Sequence, residues 1–245
     1  MKTIHINCDL GEGGKYDAQL MPLISACNIA CGGHAGDATT MLKTVLLAIK
    51  NNVEIGVHPS YPDRENFGRR SLEISENELK NSLVEQIISL DEIVKKQGAK
   101  LTHIKPHGAL YNDAAKDEKI AQIILNSIAE SGLDLTLYAP RNSVISKLTN
   151  DKLKMFFEAF ADRNYNANFS LVSRSKSNAL ITQKEAVFKH LSSMFLRQEI
   201  VCENGEIVSC KANTFCLHSD TPNSVEILQY LFSEFQKINI QIAKL

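Results

Sequence analysis

Long apolar segments are absent from this sequence of 245 residues. No apolar run approaches the ~18 residues that a membrane-spanning helix needs, and residues 1–9 contain no apolar signal segment. Cysteines are also scarce, since six in a chain of this length are too few for a disulfide scaffold. We therefore expect a soluble, cytoplasmic protein that does not act at a membrane.

A strong charge of either sign is absent as well. The chain has 27 basic and 28 acidic residues, which gives a formal charge of −1 with neutral histidines, and it contains no basic block or stripe. This balance argues against nucleic acid and acidic membrane surfaces as partners. The hydrophobic share of 44% is sufficient for a sizeable core.

Recognised nucleotide and zinc motifs are missing. Residues 11–15 follow a predicted strand, but a P-loop needs a glycine where Asp9 stands and a serine or threonine where Tyr16 stands. The GxGxxG and HExxH motifs are absent too, and Cys27 and Cys31 have no second pair with which to form a zinc ribbon. Any chemistry must therefore come from residues scattered along the chain.

Apolar patterns alternate along the chain between the two-residue period of strands and the 3.6-residue period of helices. The predicted strands cover residues 2–9, 24–31, 53–57, 101–105, 133–139, 155–161 and 214–217, and the predicted helices cover 16–23, 37–51, 75–96, 117–131, 141–150, 182–198 and 223–237. This order is typical of a parallel sheet wrapped by helices. We predict an α/β fold, a closed TIM-like parallel β/α barrel with residues 1–245 in one domain, and an open doubly wound sheet as the alternative.

Three short signals predict where individual elements begin or turn. Asp37 follows a glycine-rich stretch and precedes an apolar helical pattern, so we expect it to cap that helix. Ser75 and Glu78 form a capping box at the start of the longest helix. Asn204 and Gly205 are typical of a type I′ turn, which predicts a hairpin over residues 200–210.

Chemically active side chains recur just past the predicted strands. They are Asp9 and Glu12, His34 and Asp37, His58, Lys105 and His107, Asp162 and Arg163, and His218 and Asp220. Taken alone, each of these residues is explained as simply by a loop or helix-capping role. Because parallel strands share one carboxyl edge, however, the set is expected to converge at one mouth of the sheet, where barrel enzymes hold their active sites.

Two kinds of site could be built from this set. Asp9 together with two or more of the histidines would suit a divalent metal such as zinc, manganese or cobalt, which polarises a carbonyl group and activates water. Alternatively, the same groups act as metal-free general acids and bases, and Lys105 or Arg163 stabilises a developing oxyanion. The spacing of the histidines does not choose between the two.

Six segments with distinctive residues are spread over nearly the whole chain. They are residues 7–13, 28–37, 56–64, 66–70, 103–112 and 160–165. In this order and combination they resemble the LamB/YcsF family. The resemblance implies a seven-stranded β/α barrel akin to glycoside hydrolase and deacetylase barrels. It also implies a role in the ATP-dependent opening of 5-oxo-L-proline to L-glutamate, together with two further subunits, B and C.

Under this hypothesis the residues past the strands receive roles. We expect catalysis from Asp9, His34, His58, Lys105 and His107, and substrate binding from Glu12, Asp37, Arg163, His218 and Asp220. The candidate ligands for a divalent metal are Asp9, His34, His58 and His107. Since the chain has no recognised nucleotide motif, we expect ATP to bind in a site shared with the partner subunits. The alternatives are a metal-dependent deacetylase or amidohydrolase that acts alone, and a non-catalytic subunit that binds 5-oxoproline.

The chain departs from the family pattern in two places. Ser219 stands where the family has the glycine of a His-Gly-Asp sequence, and Phe169 stands where it usually has the glycine of an Asp-Gly pair. We expect an altered backbone approach at Ser219 and an altered rim loop near Phe169. Arg174 and Ser175, further along that loop, match the family pattern.

Overall fold

The computed structural model of the protein describes residues 2–149 and 153–244. The strands are β1 Lys2–Ile4, β2 Ile6–Leu10, β3 Ala26–Ala30, β4 Glu54–His58, β5 His103–Ile104, β6 Thr136–Ala139, β7 Met155–Phe160, β8 Glu199–Val201, β9 Ile207–Ser209, β10 Thr214–Cys216 and β11 Ile240–Ile242. The α-helices are α1 Asp17–Leu20, α2 Ala38–Lys50, α3 Glu76–Lys96, α4 Gly108–Ala114, α5 Glu118–Ser131, α6 Val144–Leu148, α7 Lys184–Ser192 and α8 Ser224–Lys237. A 3₁₀ turn, Met21–Leu23, follows α1, and a π turn, Ser193–Arg197, follows α7.

Seven parallel strands close into a barrel in the order β10, β2, β3, β4, β5, β6, β7. Closure comes from β10, which pairs with β7 on one side and with β2 on the other. The predicted seven-stranded parallel β/α barrel is thereby confirmed, and the open doubly wound sheet is wrong. Over residues 2–149 and 153–244, no helix has the length and apolar character needed to cross a membrane. That the chain forms one domain stays a prediction.

Both helix-capping signals are confirmed, and the third signal is confirmed only in part. The carboxylate of Asp37 accepts a hydrogen bond from the backbone N–H of Thr40 and caps α2. Both hydrogen bonds of the capping box between Ser75 and Glu78 are present at the start of α3. Strands β8 and β9 pair in antiparallel fashion, so the predicted hairpin is present. The type I′ turn is wrong, because Gly205 has a positive φ of 83° but Asn204 is not among the positive-φ residues, and a type I′ turn needs a positive φ at both.

Two elements were not predicted. Helix α4 begins at Gly108, two residues after Pro106, and a proline and a glycine this close together are typical of a turn. The short strand β11 pairs in parallel with β1, in a two-stranded sheet separate from the barrel. The strand predicted over residues 2–9 is therefore divided at His5, so that β1 contacts β11 while β2 enters the barrel.

One predicted helix is shorter than expected. The pattern predicted a helix over residues 141–150, whereas α6 spans Val144–Leu148. Asn142 takes a positive φ of 63°, which interrupts a right-handed helix, and the hydroxyl of Ser143 accepts a hydrogen bond from the N–H of Ser146 as the new cap. The predicted last residue, Asn150, lies outside the described residues.

The two departures from the family pattern have different backbone conformations. Phe169 has a positive φ of 69°, in the left-handed region that glycine adopts without strain. For a residue with a Cβ atom, this left-handed conformation costs roughly 1–2 kcal/mol. Ser219 is not among the positive-φ residues of the described chain, and its carbonyl accepts a hydrogen bond from the Ser224 hydroxyl at 3.0 Å. Of the two departures, only Phe169 therefore places a side chain in a strained backbone conformation.

The interior of this barrel is unusually polar. Successive residues of a strand face opposite sides, so Ile6, Cys8 and Leu10 of β2 pack towards the helices while Asn7 and Asp9 point inward. In β/α barrels the interior is usually filled by layers of branched apolar side chains. Here, buried polar groups from several strands occupy that space: Asn7, Asp9, Asn28, His103, Lys105, Glu158 and Thr214.

Gly56 makes room for one of these polar groups. A Cβ atom at Gly56 would lie only 2.1 Å from Nε2 of His103 on the neighbouring strand. The His103 ring stacks on Tyr138 with a centroid separation of 4.3 Å, and its Nε2 hydrogen-bonds to Asn28 Oδ1 at 2.9 Å. A glycine at this position in β4 therefore allows an imidazole to fill the barrel.

Candidate active site

Most of the residues predicted past the strands meet at the carboxyl end of the barrel. Asp9 lies near the end of β2, His58 ends β4, and Lys105 directly follows β5. His34, His107 and His218 follow strands β3, β5 and β10. The contacts described below join these side chains into one continuous polar site, as the strand-exit pattern predicts.

Lys105 lies at the centre of this site. Its Nζ is 2.9 Å from Asp9 Oδ1, 3.1 Å from Glu158 Oε1 and 3.3 Å from Asn7 Oδ1. Only 2% of Lys105 is exposed. Burial alone would lower its pKa, but the negative charges of Asp9 and Glu158 outweigh burial and hold the Lys105 pKa well above its ordinary value. The ammonium group is therefore permanently charged and enclosed by protein atoms.

Asp9 is the negative partner that faces the mouth. Its Oδ1 accepts a hydrogen bond from Asn28 Nδ2 at 2.7 Å, and its Oδ2 lies 3.5 Å from Nε2 of His58. Burial favours the protonated acid, but attraction to His58 and Lys105 is stronger and holds the pKa of Asp9 well below its usual range. Asp9 is therefore an ionised carboxylate, and the donors Asn28 and Lys105 fix its orientation through Oδ1.

A histidine cluster, formed by Glu12, His34, His58 and His107, lies beside Asp9. The rings of His34 and His107 are stacked, with centroids 3.7 Å apart and an interplanar angle of 3°. Oε1 of Glu12 is 3.0 Å from His34 Nε2, 3.3 Å from His107 Nδ1 and 3.8 Å from His58 Nε2. One carboxylate oxygen is thus shared by three imidazoles.

Two backbone carbonyls determine which ring nitrogens of this cluster carry hydrogens. His58 Nδ1 lies 2.6 Å from the carbonyl oxygen of Lys105, and His107 Nε2 lies 3.0 Å from that of Phe67. A carbonyl oxygen can only accept, so both nitrogens are donors. In neutral rings, His58 Nε2 and His107 Nδ1 then present lone pairs to each other across 2.9 Å. This arrangement needs a shared proton or a cation between the rings.

The histidine cluster fits a divalent cation. Its four candidate ligand atoms lie within 4.8 Å of one another, and Nδ1 of His34 is buried without a partner among the described residues. Burial lowers the pKa of His34, and burial with repulsion from His58 and His34 lowers the pKa of His107 well below its ordinary value. Neutral imidazoles and a carboxylate are ligands that suit zinc, manganese or cobalt. Glu12, predicted only for substrate binding, joins this set.

Asp9, the carboxylate predicted as a metal ligand, lies at the border of the histidine cluster. It belongs to a second group in which Asp9, Cys216 and His218 offer ligand atoms within 4.8 Å of one another. The ammonium group of Lys105 already lies between two of these ligands, 2.9 Å from Asp9 Oδ1 and 3.1 Å from Cys216 Sγ. A metal ion there would meet a fixed positive charge, and the histidine cluster is the better fit.

His218 is oriented by a buried carboxylate. Its Nδ1 lies 3.0 Å from Asp162, and the Thr221 hydroxyl donates to the same carboxylate at 2.5 Å. Burial opposes the charged form of His218, but attraction to Asp162 is stronger and raises the pKa of His218. Because Nδ1 donates to Asp162, Nε2 is the nitrogen left for proton transfer, and within residues 2–149 and 153–244 it makes no hydrogen bond.

Three predicted substrate-binding residues make their contacts outside the polar centre, although Asp37 also lines the cavity beside it. Asp37 is exposed and occupied in capping α2. The guanidinium of Arg163 donates to the carbonyl oxygens of Ala179 and Val172, at 3.3 and 2.7 Å, and so braces the rim loop. Asp220 is paired with Arg69 at the rim. A role of these three residues in substrate binding stays a prediction.

A cavity of about 320 Å³ opens beside the histidine cluster. Glu12, His34, Asp37 and Phe67 are among the residues that line it. The neighbouring Gly68 has a positive φ of 62°, and a Cβ there would lie 3.0 Å from His34 Cβ and 3.1 Å from His107 Cδ2. Glycine at this position lets the loop after β4 close against the two rings.

The sequence did not identify three residues that hold this site together, namely Asn7, Asn28 and Glu158. Asp162 was recognised past its strand but received no role. The three missed residues are polar side chains inside largely apolar strands, and that is the signal by which they could have been found. A polar side chain in such a strand, placed in register with a known site residue, points into the barrel and needs a partner there.

Comparisons with known proteins place nearly the whole chain in one family. The sequence model of the LamB/YcsF family matches residues 4–245. The A subunit of 5-oxoprolinase from Haemophilus influenzae (strain PittEE) is 40% identical over 243 residues, which cover 99% of this chain and 99% of that protein.

Solved structures share the fold. The lactam utilization protein from Thermus thermophilus matches with a TM-score of 0.92 and 30% identity, and the match covers 100% of both chains. A family 4 carbohydrate esterase from Streptomyces lividans matches with a TM-score of 0.53 and 10% identity over 99% of this chain and 92% of that chain. The second likeness concerns the fold alone.

Proposed function

The chain belongs to the LamB/YcsF family, and we propose that it is the A subunit of an ATP-dependent 5-oxoprolinase that opens 5-oxo-L-proline to L-glutamate. The observation that carries this proposal is 40% identity to the A subunit of a 5-oxoprolinase over 99% of both chains. The polar site at the barrel mouth supports it, because opening a lactam needs a group that activates water and a group that protonates the leaving nitrogen. We propose that the protein acts in the cytoplasm with subunits B and C.

In this proposal Asp9 and His218 perform the proton transfers. Asp9 is an ionised, oriented carboxylate, and it can accept a proton from the attacking water. Asp162 holds Nδ1 of His218 and leaves Nε2 available for proton transfer. The raised pKa of His218 favours the charged imidazolium form, which can donate a proton to the leaving nitrogen of the lactam. His58 lies 3.5 Å from Asp9 and helps to keep that carboxylate ionised.

Lys105 acts on the substrate through Asp9. Its ammonium group is enclosed by Asp9, Glu158 and Asn7. It therefore fixes the charge and direction of the Asp9 carboxylate and leaves the contacts with substrate to groups nearer the mouth. This assignment differs from the direct catalytic role predicted from the sequence.

Coupling to ATP gives the reaction its driving force, because a five-membered lactam resists hydrolysis. In one route the terminal phosphoryl group of ATP is transferred to the lactam oxygen and ADP leaves. Water then attacks the activated carbonyl carbon, and the C–N bond breaks as the nitrogen takes up a proton. A second water hydrolyses the resulting acyl phosphate to glutamate and phosphate. The chain has no recognised nucleotide motif. We therefore propose that ATP binds in a site shared with subunits B and C.

A metal-dependent amidohydrolase that acts alone is the second candidate function. The facing lone pairs of His58 and His107, beside Glu12, favour it. A divalent metal held by Glu12, His34, His58 and His107 would polarise a carbonyl group and lower the pKa of a bound water. Calorimetric titration of metal-free protein with Zn²⁺ tests this ligand set without reference to activity. We expect Glu12→Gln to weaken binding ~10- to 100-fold and the exposed control Glu206→Gln to leave it unchanged.

The proposed function is tested by assaying the chain alone and mixed with subunits B and C. ATP-dependent formation of glutamate from 5-oxo-L-proline by the mixture alone is the expected result. Hydrolysis by the isolated, metal-loaded chain without ATP would instead establish the second candidate. Full activity of a mixture containing His34→Ala, His58→Ala and His107→Ala would favour a subunit that binds 5-oxoproline without catalysing its opening.

A further inference from the structure

Three loops at the barrel mouth are tied together by one carboxylate. Asp220 follows β10, Arg69 lies between β4 and α3, and Arg174 lies between β7 and α7. Oδ2 of Asp220 is 2.5 Å from Arg69 and 3.7 Å from Arg174. The three side chains are 40%, 43% and 35% exposed, so a molecule that enters the mouth can reach them.

This rim arginine pair, Arg69 and Arg174, has more positive charge than its surroundings neutralise. Two guanidinium groups share the single charge of Asp220. The nearby Asp162 is buried and paired with His218. Burial and then repulsion from Arg174 lower the pKa of Arg163, which shows that a third cation is close to the pair. The local excess of positive charge would be balanced by an anion.

The rim arginine pair adjoins the histidine cluster. The Arg69 guanidinium carbon lies 5.0 Å from the ring centroid of Phe67. That ring in turn contacts His34 and His107 edge-on, at centroid distances of 5.2 and 5.5 Å. Stacking on Phe67 orients the planar guanidinium group, and an oriented arginine is suited to bidentate binding of a carboxylate or phosphate.

We propose that Arg69 and Arg174 form an anion subsite that binds the carboxylate of the lactam substrate. The inference rests on the proposed function, in which the substrate is 5-oxo-L-proline. Asp220 holds the two guanidinium groups in place and is a positioning residue. Two guanidinium groups would also bind a phosphate group of ATP, so the test must distinguish the substrate carboxylate from this phosphate.

The test measures steady-state kinetics of the mixture with subunits B and C. Arg174→Gln and Arg69→Gln are compared with wild type, and Arg197→Gln is the matched control. Arg197 pairs with Glu199 beyond the far end of α7. For both rim variants we expect the KM for 5-oxo-L-proline to rise about 10- to 100-fold, as for the loss of a charge-assisted hydrogen bond, with kcat changed far less. Arg174→Lys should recover only part of the lost affinity, because lysine keeps the charge but lacks the planar guanidinium group that donates two parallel hydrogen bonds.

Each outcome has a distinct meaning. A raised KM for ATP with an unchanged KM for 5-oxo-L-proline would overturn the carboxylate assignment in favour of a nucleotide phosphate. Unchanged values for both substrates, in variants that melt at the wild-type temperature, would overturn the subsite itself. A wild-type mixture that forms no glutamate would contradict the proposed function instead, and the subsite would then be tested by calorimetric titration of the chain with 5-oxo-L-proline. Binding weakened in Arg174→Gln would support the subsite, and unchanged binding would overturn it.

Discussion

Replacing Lys105 by methionine tests the charge arrangement inside the barrel. Methionine has a similar length but no charge, so Asp9 and Glu158 would lose the cation that lies 2.9 and 3.1 Å away. Removing one partner of a buried ion pair costs about 3–5 kcal/mol. Because this ammonium group neutralises two carboxylates, we expect the free energy of unfolding to fall by ~5 kcal/mol at pH 7. At about 2–4 °C per kcal/mol for a protein of this size, the melting temperature should fall by about 10–20 °C.

The stability lost in Lys105→Met should become smaller as the pH falls. In the wild type the pKa of Asp9 is depressed, so its contribution is present above the unfolded value of about 3.9 and is lost only below it. In Lys105→Met, Asp9 loses one of its opposing cations and keeps His58, and burial, the largest influence on its pKa, would raise that pKa above the unfolded value. The folded variant then binds a proton more tightly than its unfolded chain, and acid stabilises it.

Urea unfolding followed by circular dichroism at pH 7 and pH 5.5 measures both effects. Lys116→Met is the matched control, because the Lys116 side chain is 72% exposed and pairs only at the surface with Asp113. We expect it to stay within about 0.5 kcal/mol of wild type. A Lys105→Met variant that is as stable as wild type at pH 7 would refute the assigned charges. A variant whose loss of unfolding free energy is the same at pH 7 and pH 5.5 would refute them as well.

Three further predictions concern single side chains. Gly56→Ala should destabilise the protein by more than about 2 kcal/mol in urea unfolding, since its Cβ would lie 2.1 Å from the His103 ring; a fully stable variant would contradict the packing. Asp162→Asn should lower the pKa of His218, shifting the corresponding limb of the pH–rate profile to lower pH, and should reduce kcat at least ~100-fold. Asp37→Ala should lower the melting temperature through loss of the helix cap, and an accompanying rise in the KM for 5-oxo-L-proline would show that Asp37 also binds substrate.

The sequence was sufficient to predict the barrel and the meeting of its strand exits. Periodicity identified the barrel strands, and parallel strands place their carboxyl ends together whatever their order in the chain. His34, His58 and His107 therefore meet, although 73 residues separate the first from the last in the numbering. The family resemblance over residues 4–245 is confirmed as well.

The inner partners of the site could not be predicted in the same way. Glu158 lies in an apolar strand, and its pairing with Lys105 depends on how β7 and β5 stand across the closed barrel. The roles of His58 and His107 depend on two carbonyl oxygens contributed by distant residues. Such partners follow from strand register and loop geometry, which a pattern of residue types does not contain.

The central claim is that the barrel mouth is the active site of an ATP-dependent 5-oxoprolinase. The most direct measurement is glutamate formation from 5-oxo-L-proline by this chain mixed with subunits B and C, with wild type compared with Asp9→Asn. We predict an ATP-dependent rate for wild type and a loss of at least ~100-fold for the variant. No glutamate from the wild-type mixture, or an unchanged rate with Asp9→Asn, would contradict the claim.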